Sequence, residues 1–183
     1  MVGEAAASKT EFGIVLAKDG GIVNSGCTVV VESVLQKYPD GRFDVLTRGQ
    51  RRFIIQSIDQ EKAYLRGEVE YFADEEDQPA PAELRRKAVA AHRAMLQALN
   101  EEGAESKQVK PLSENDALLS FHLAEDVDDL DFRNMLQRSR SETERLGAFI
   151  EFTNKYVERK QYAAKMKRTA PMNGHGHKRV APE

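Results

Sequence analysis

The sequence has no tryptophan and one cysteine, Cys27, among its 183 residues. A single cysteine permits no internal disulfide, which agrees with a reducing compartment. It also removes thiolate zinc sites, which need several soft ligands at set spacing. Four histidines remain, and two of them, His175 and His177, sit in a glycine-bearing tail that reads as low-complexity sequence rather than as a metal site. No apolar run approaches the ~20 residues that span a bilayer, and the N-terminus lacks the basic-then-apolar pattern of a signal peptide. These absences predict a cytoplasmic protein with no membrane contact.

Catalytic patterns are missing as well. A phosphate-binding loop needs glycines followed by Lys and Ser or Thr, and the pair Gly20-Gly21 is followed by neither. His92 and His122 have no serine or cysteine nucleophile that sequence brings into reach, so they read as structural histidines. Asp126, Asp128, Asp129 and Asp131 lack the central glycine and terminal glutamate of a calcium loop and read as helix caps. Cys27 stands between Gly26 and an apolar run, a setting for a small strand residue rather than a reactive thiol. No catalytic residue, cofactor or metal is expected, and the chain reads as a non-enzyme.

The net charge of -3 exerts no global pull on nucleic acid. Arg48, Arg51 and Arg52 cluster about one predicted turn and invite an RNA-binding reading, since small barrels bind RNA. Three arginines among 30 acidic residues are better read as a solvated turn with one arginine pairing an acidic neighbour. Nucleic acid is therefore the second reading, not the first.

What is present is a 40% hydrophobic, 31% charged chain, long enough for one core or two small lobes. Residues 1–10 resemble the end of a helix, and residues 12–17 a short buried strand. Lys18-Asp19-Gly20-Gly21 and Asn24-Ser25-Gly26 punctuate the chain as turns. Residues 28–38 are rich in β-branched side chains and apolar on both faces. Pro39-Asp40-Gly41 supplies a preset φ, a side-chain acceptor and a positive φ, the chemistry of a hairpin reversal. Strands follow over 43–47 and 51–58 around a turn at Arg48-Gly49-Gln50. Leu65, Gly67, Val69 and Tyr71 then alternate with Arg66, Glu68 and Glu70 in a half-buried outer strand. Such a meander curls into a barrel or partial barrel, because a flat sheet leaves two exposed edges.

An acidic linker, 74–81, marks a change of period from two to about three and a half. Leu84, Ala88, Ala91, Met95 and Leu99 stripe a helix over 82–101, and 101–110 reads as a loop. Ser113 with Asp116 resembles a capping box for a short helix bearing Ala117, Leu118 and Phe121. The aspartates at 126, 128 and 129 cap another, which carries Phe132, Met135 and Leu136. Ser141 with Glu144 opens the last and longest, striped by Leu146, Phe149, Ile150 and Val157. The domain plan is a β lobe over 1–77, a helical lobe over 78–164 that leans on it, and a disordered basic tail over 165–183.

Phe12-Gly13-Ile14-Val15, Gly26-Cys27, Pro39-Asp40-Gly41-Arg42, Gly49 with Arg52-Phe53-Ile54, and Tyr64 with the strand ending at Asp74 occur together in this order. With Asp116-Ala117-Leu118-Leu119-Ser120-Phe121 and Arg145-Leu146, they make residues 1–161 resemble the N-terminal, substrate-binding domain of the ATP-dependent Lon protease, in its stand-alone form. The resemblance implies an α+β fold, a PUA-like antiparallel pseudobarrel followed by a helical bundle. It implies a role in recognising unfolded or exposed polypeptide segments without ATPase or peptidase parts, with full-length Lon protease as a further partner. It also marks the chain as truncated or mis-started, short of a first strand, so that a sheet edge is left open. Tyr64 and Phe72, aromatic residues on the polar face of the strand that leads to Asp74, are the candidate peptide contacts.

Overall fold

Among the described residues, one short helix precedes the strands of the β-branched half of the chain, and the elements beyond it are helices. The computed structural model describes residues 1–75, 78–100 and 112–169. In chain order these form α1 (Val2–Ser8), β1 (Phe12–Lys18), β2 (Gly21–Lys37), β3 (Phe43–Asp59), β4 (Arg66–Phe72), α2 (Ala82–Asn100), α3 (Leu119–Ala124), α4 (Leu130–Arg138) and α5 (Glu142–Thr169). The fold is α+β. Its sheet is an antiparallel meander in the order β1-β2-β3-β4, open at both ends, because β1 and β4 each pair with one neighbour only among the described residues.

Two of the predicted turns are real reversals. Asp19 and Gly20 have φ of 52° and 78° between the paired Lys18 and Gly21, the two positive values that a two-residue hairpin turn with the sheet's own twist requires. Gly41 has φ 90° and donates its N–H to the Tyr38 carbonyl at 3.0 Å, while Asp40 Oδ1 accepts from the Arg42 N–H at 3.1 Å.

The other two predicted turns are corrected. Asn24-Ser25-Gly26 and Arg48-Gly49-Gln50 lie inside uninterrupted strands, since β2 and β3 are 17 residues each. Glycine is needed at position 26 for proximity, not for reversal. A Cβ there would stand 2.4 Å from the Ile14 carbonyl oxygen and 2.6 Å from the Phe53 ring. The irregularity that Gly49 signals is a bulge: Cys27 pairs with Arg52 but Val29 with Gly49. Thr28 fills the gap, its hydroxyl accepting from the Arg51 N–H at 3.1 Å and donating to the Arg51 carbonyl at 3.3 Å, so the backbone groups that a bulge unpairs are satisfied.

The chain divides into two compact units. The first holds Met1–Gln78 and Val127–Glu142, so it contains α1, the sheet and α4. Its buried apolar residues include Ala5, Val29, Val31, Phe53, Val127 and Leu136. Periodicity groups α4 with the other helices, whereas in the structure it belongs with the sheet. Asn134 Nδ2 donates to Ser25 Oγ at 3.5 Å, and the Arg52 guanidinium donates to the carbonyls of Gln137 at 3.2 Å and Ser139 at 2.6 Å. The cap of α4 is as predicted, Asp129 Oδ1 accepting from the Phe132 N–H at 2.9 Å.

The second unit holds Pro79–Asp126 and the chain from Thr143 onward, and its core is Ala88, Val89, Met95, Leu96, Leu119, Leu123, Leu146 and Phe149. The buried face of α2 runs Arg85, Ala88, Val89, His92, Met95, Leu96, rotated from the predicted apolar stripe because two polar side chains share it. Arg85 is buried where it closes three carbonyls, donating to Ala80 at 3.1 Å, Glu114 at 2.7 Å and Asp116 at 3.0 Å. No capping box opens α3, which starts at Leu119. Ser113 and Asp116 instead close local turns, accepting from the N–H groups of Asn115 at 3.2 Å and Leu118 at 2.9 Å. α5 continues to Thr169, so residues 165–169 of the predicted tail are helical. The predicted loop 101–110, the rest of the tail, and His175 and His177 lie outside the described residues.

Candidate functional site: the open edge at β4

β4 pairs with β3 through Arg52↔Phe72, Phe53↔Tyr71, Ile54↔Glu70, Ile55↔Val69, Ser57↔Glu68, Ile58↔Gly67 and Asp59↔Arg66. Directly paired residues of antiparallel strands share a face. One face therefore carries Phe53, Ile55, Ile58, Gly67, Val69 and Tyr71, and the other Arg52, Ile54, Ser57, Asp59, Arg66, Glu68, Glu70 and Phe72. On the first face, Phe53 is 3% exposed, whereas Ile58 at 45% and Tyr71 at 45% are open to solvent. Ile58 is open partly because its partner, Gly67, has no side chain to cover it. Leu65, just before β4, is also exposed. The outer rim of β4 thus combines backbone that has no strand partner among the described residues with an apolar strip, the combination on which a further strand can be added.

Tyr71 is held by a side chain of the neighbouring strand on its own face of the sheet. The Arg51 guanidinium lies 3.9 Å from its ring centroid and donates to its hydroxyl at 3.3 Å. The same guanidinium reaches Glu11 Oε2 at 3.0 Å. The Thr28 hydroxyl, and then Arg51, hold the Glu11 carboxyl below its ordinary pKa.

The opposite face is polar. Arg66 is shared between Asp59 and Glu61, Ser57 donates to Glu68 at 3.2 Å, and Gln56 donates to Glu70 at 2.9 Å. At its end Phe72 is half-buried between two guanidiniums, Arg52 at 4.8 Å and Arg140 at 5.0 Å from its ring centroid. Those arginines also pair with Asp74 and Glu75, which fastens the start of the acidic linker to the sheet unit.

The structure therefore treats the two candidate contact residues differently. Tyr64 lies in the bend ahead of β4 rather than on the strand, with its side chain exposed, while Phe72 is the last residue of β4. Tyr71 and Ile58 belong to the same edge and were legible only as members of an alternating strand. Their exposure depends on β4 being outermost and on residue 67 being glycine.

The arginines that invite an RNA reading are all engaged by carboxylates: Arg48 with Glu32 at 3.0 Å, Arg51 with Glu11, and Arg52 with Asp74. His92 is buried against Asp126 Oδ2 at 2.9 Å, and His122 bonds Asp116 Oδ2 at 2.7 Å. Cys27 is half-buried, and burial pushes its thiol pKa up, the opposite of what a nucleophile needs. Among the described residues no group of three or more His, Cys, Asp or Glu could hold a metal ion. Nor is any helix among them long and apolar enough to cross a membrane. An open hollow lined by Leu16, Ala17, Lys18, Asp129, Leu130 and Asp131 holds the ion pair of Lys18 with Asp131, at 2.6 Å, and the capping carboxylate of Asp129.

The family model of the ATP-dependent protease La (LON) substrate-binding domain matches residues 2–134. Among solved structures, the Lon N-terminal domain protein from Xanthomonas campestris is similar at 21% identity, over 82% of this chain and 80% of that one, with a TM-score of 0.51. The N-terminal domain of the Mycobacterium avium complex Lon protease is similar at 20% identity, over 82% of each chain, with a TM-score of 0.56. At such identities the likeness is one of fold. No curated protein matches. The matched segment contains α1, the whole sheet, α2, α3 and the first half of α4, and the fold agrees with both solved domains, so the chain belongs to the Lon substrate-binding domain family.

Proposed function

We propose that the chain is a non-enzymatic polypeptide-binding module that takes up unfolded or extended segments by strand addition at β4. The observation that carries this reading is the open edge itself. β4 has one strand neighbour among the described residues, and its rim is flanked by exposed Ile58, Leu65 and Tyr71. An added strand would satisfy the outward backbone groups, giving affinity independent of sequence. It would also cover the apolar strip, contributing roughly 25 cal/mol for each Å² removed from water. Tyr64 is the proposed contact at the entry to the strand. Phe72, stacked between Arg52 and Arg140, serves as the anchor that fixes the far end of the edge.

The test is a titration of the isotope-labelled chain with a reduced, carboxymethylated polypeptide that cannot fold. Amide shifts concentrated over residues 64–72 are expected, together with slowed hydrogen exchange at outward β4 amides. Binding that leaves this segment unperturbed would overturn the assignment.

A further inference from the structure

The two faces of β4 differ in chemistry, and a strand laid along its edge must meet both. Glu68 and Glu70 point to one face, and their hydrogen-bond donors are the neutral Ser57 hydroxyl and Gln56 amide. On the same face Arg66 serves two carboxylates, Asp59 and Glu61, while Arg52 and Arg140 at its far end are paired with Asp74 and Glu75. That face is net negative. The opposite face offers Val69, Tyr71 and, beside side-chain-less Gly67, the exposed Ile58.

Resting on the strand-addition reading above, we infer that the preferred ligand at this edge is an extended segment that alternates apolar and basic residues. Successive residues of a strand point to opposite faces, and those two apart are spaced ~7 Å, so Lys or Arg at i and i+2 matches Glu68 and Glu70. The residue between them falls on the face of Val69 and Tyr71. A large apolar side chain placed beside Gly67 reaches Ile58, which β4 itself leaves uncovered. An acidic segment in the same register sets like charges against Glu68 and Glu70, which is unfavourable for directly opposed cross-strand pairs. Charge on this face therefore selects among segments that the backbone alone would accept equally.

The experiment uses the full chain and two labelled peptides of about the length of β4, seven residues, one alternating Val with Lys and the other Val with Glu, titrated by fluorescence anisotropy at low ionic strength. The Val/Lys peptide is expected to bind about fivefold more tightly, the result of two cross-strand ion pairs. Its binding should slow hydrogen exchange over Arg66–Phe72. Glu68→Gln with Glu70→Gln should abolish the preference, and Glu68→Lys with Glu70→Lys should reverse it, with unfolding midpoints confirming that each variant is folded. Equal binding of both peptides with protection of β4 would overturn the charge selection and leave strand addition standing. A preference that survives both double variants, or protection elsewhere than β4, would overturn it as well. Failure of both peptides to bind would overturn the strand-addition reading and this inference with it.

Discussion

The Arg51 guanidinium stacks 3.9 Å from the ring centroid of Tyr71 and at the same time pairs with Glu11 at 3.0 Å, so one side chain ties the residue before β1 to the outermost strand, β4. The link spans an open sheet whose two end strands do not pair with each other. Tyr71 is thereby presented at the rim in a fixed orientation. A double-mutant cycle on Arg51→Ala and Tyr71→Ala, followed by urea unfolding, should return a coupling of about 0.5–1 kcal/mol, the usual value of an exposed cation–π pair. Tyr71→Phe should retain most of it, because stacking survives the loss of the hydroxyl. A coupling of zero would show that the stack does not contribute.

Gly26 and Gly49 give opposite expectations. Ala at position 26 drives a Cβ to 2.4 Å from a backbone oxygen and 2.6 Å from the Phe53 ring, and neither can withdraw without moving β1 or the core. The cost should be about 3 kcal/mol, at the upper end of overpacking. Ala at position 49 meets only Cys27 Sγ, at 3.4 Å, an ordinary contact, and should change stability by under ~1 kcal/mol. Comparison of the two unfolding midpoints checks the assignment of Gly26 to packing.

Arg85 tests the second unit. Its guanidinium closes the carbonyls of Ala80, Glu114 and Asp116 from a buried position. Arg85→Met fills the space but leaves those acceptors without their donor, and should cost about 3 kcal/mol. Arg85→Lys should recover only part of this, since a point-like ammonium does not reproduce the planar fork. Thermal unfolding of the two variants measures the difference.

Acid should weaken the turn ahead of α3. The Leu118 N–H, and then His122, lower the Asp116 pKa from its usual 3.8. A depressed folded-state pKa stabilises the protein above the unfolded value and ceases to do so as pH falls through the folded one, so the loss belongs below about pH 4. Asp116→Asn keeps an oxygen acceptor for the Leu118 N–H but removes the titration. Its stability relative to wild type should therefore rise as pH drops from 5 to 2, and a constant difference would refute the linkage. At neutral pH Asp116→Ala should cost about 1 kcal/mol, the value of a lost capping-type bond.

Local chemistry made much of this fold legible. Asp19-Gly20 and Pro39-Asp40-Gly41 encode reversals because positive φ has few alternatives to glycine and aspartate. The helices at 82–100 and from 142 onward are written in apolar spacing. The misread positions share one cause. Gly26 and Gly49 look like turn residues, but their meaning lies in atoms 12 or more residues away: the Ile14 carbonyl and Phe53 ring for Gly26, and the Cys27 sulfur for Gly49. Likewise Arg85 and His92 interrupt the apolar stripe of α2, yet both are buried, because their partners at positions 114, 116 and 126 come from a distant part of the chain.

The sequence by itself determined the α+β class, the strand and helix periods, the working turns and the family, since each is fixed by spacing and by residues that constrain their own backbone. Only the tertiary structure decided that α4 joins the sheet unit and that the meander stays open. It also decided that Phe72 is clasped by Arg52 and Arg140 while Tyr71 and Ile58 face solvent. Those outcomes depend on which surfaces meet, and an alternating strand looks the same in sequence whether its rim is covered or exposed.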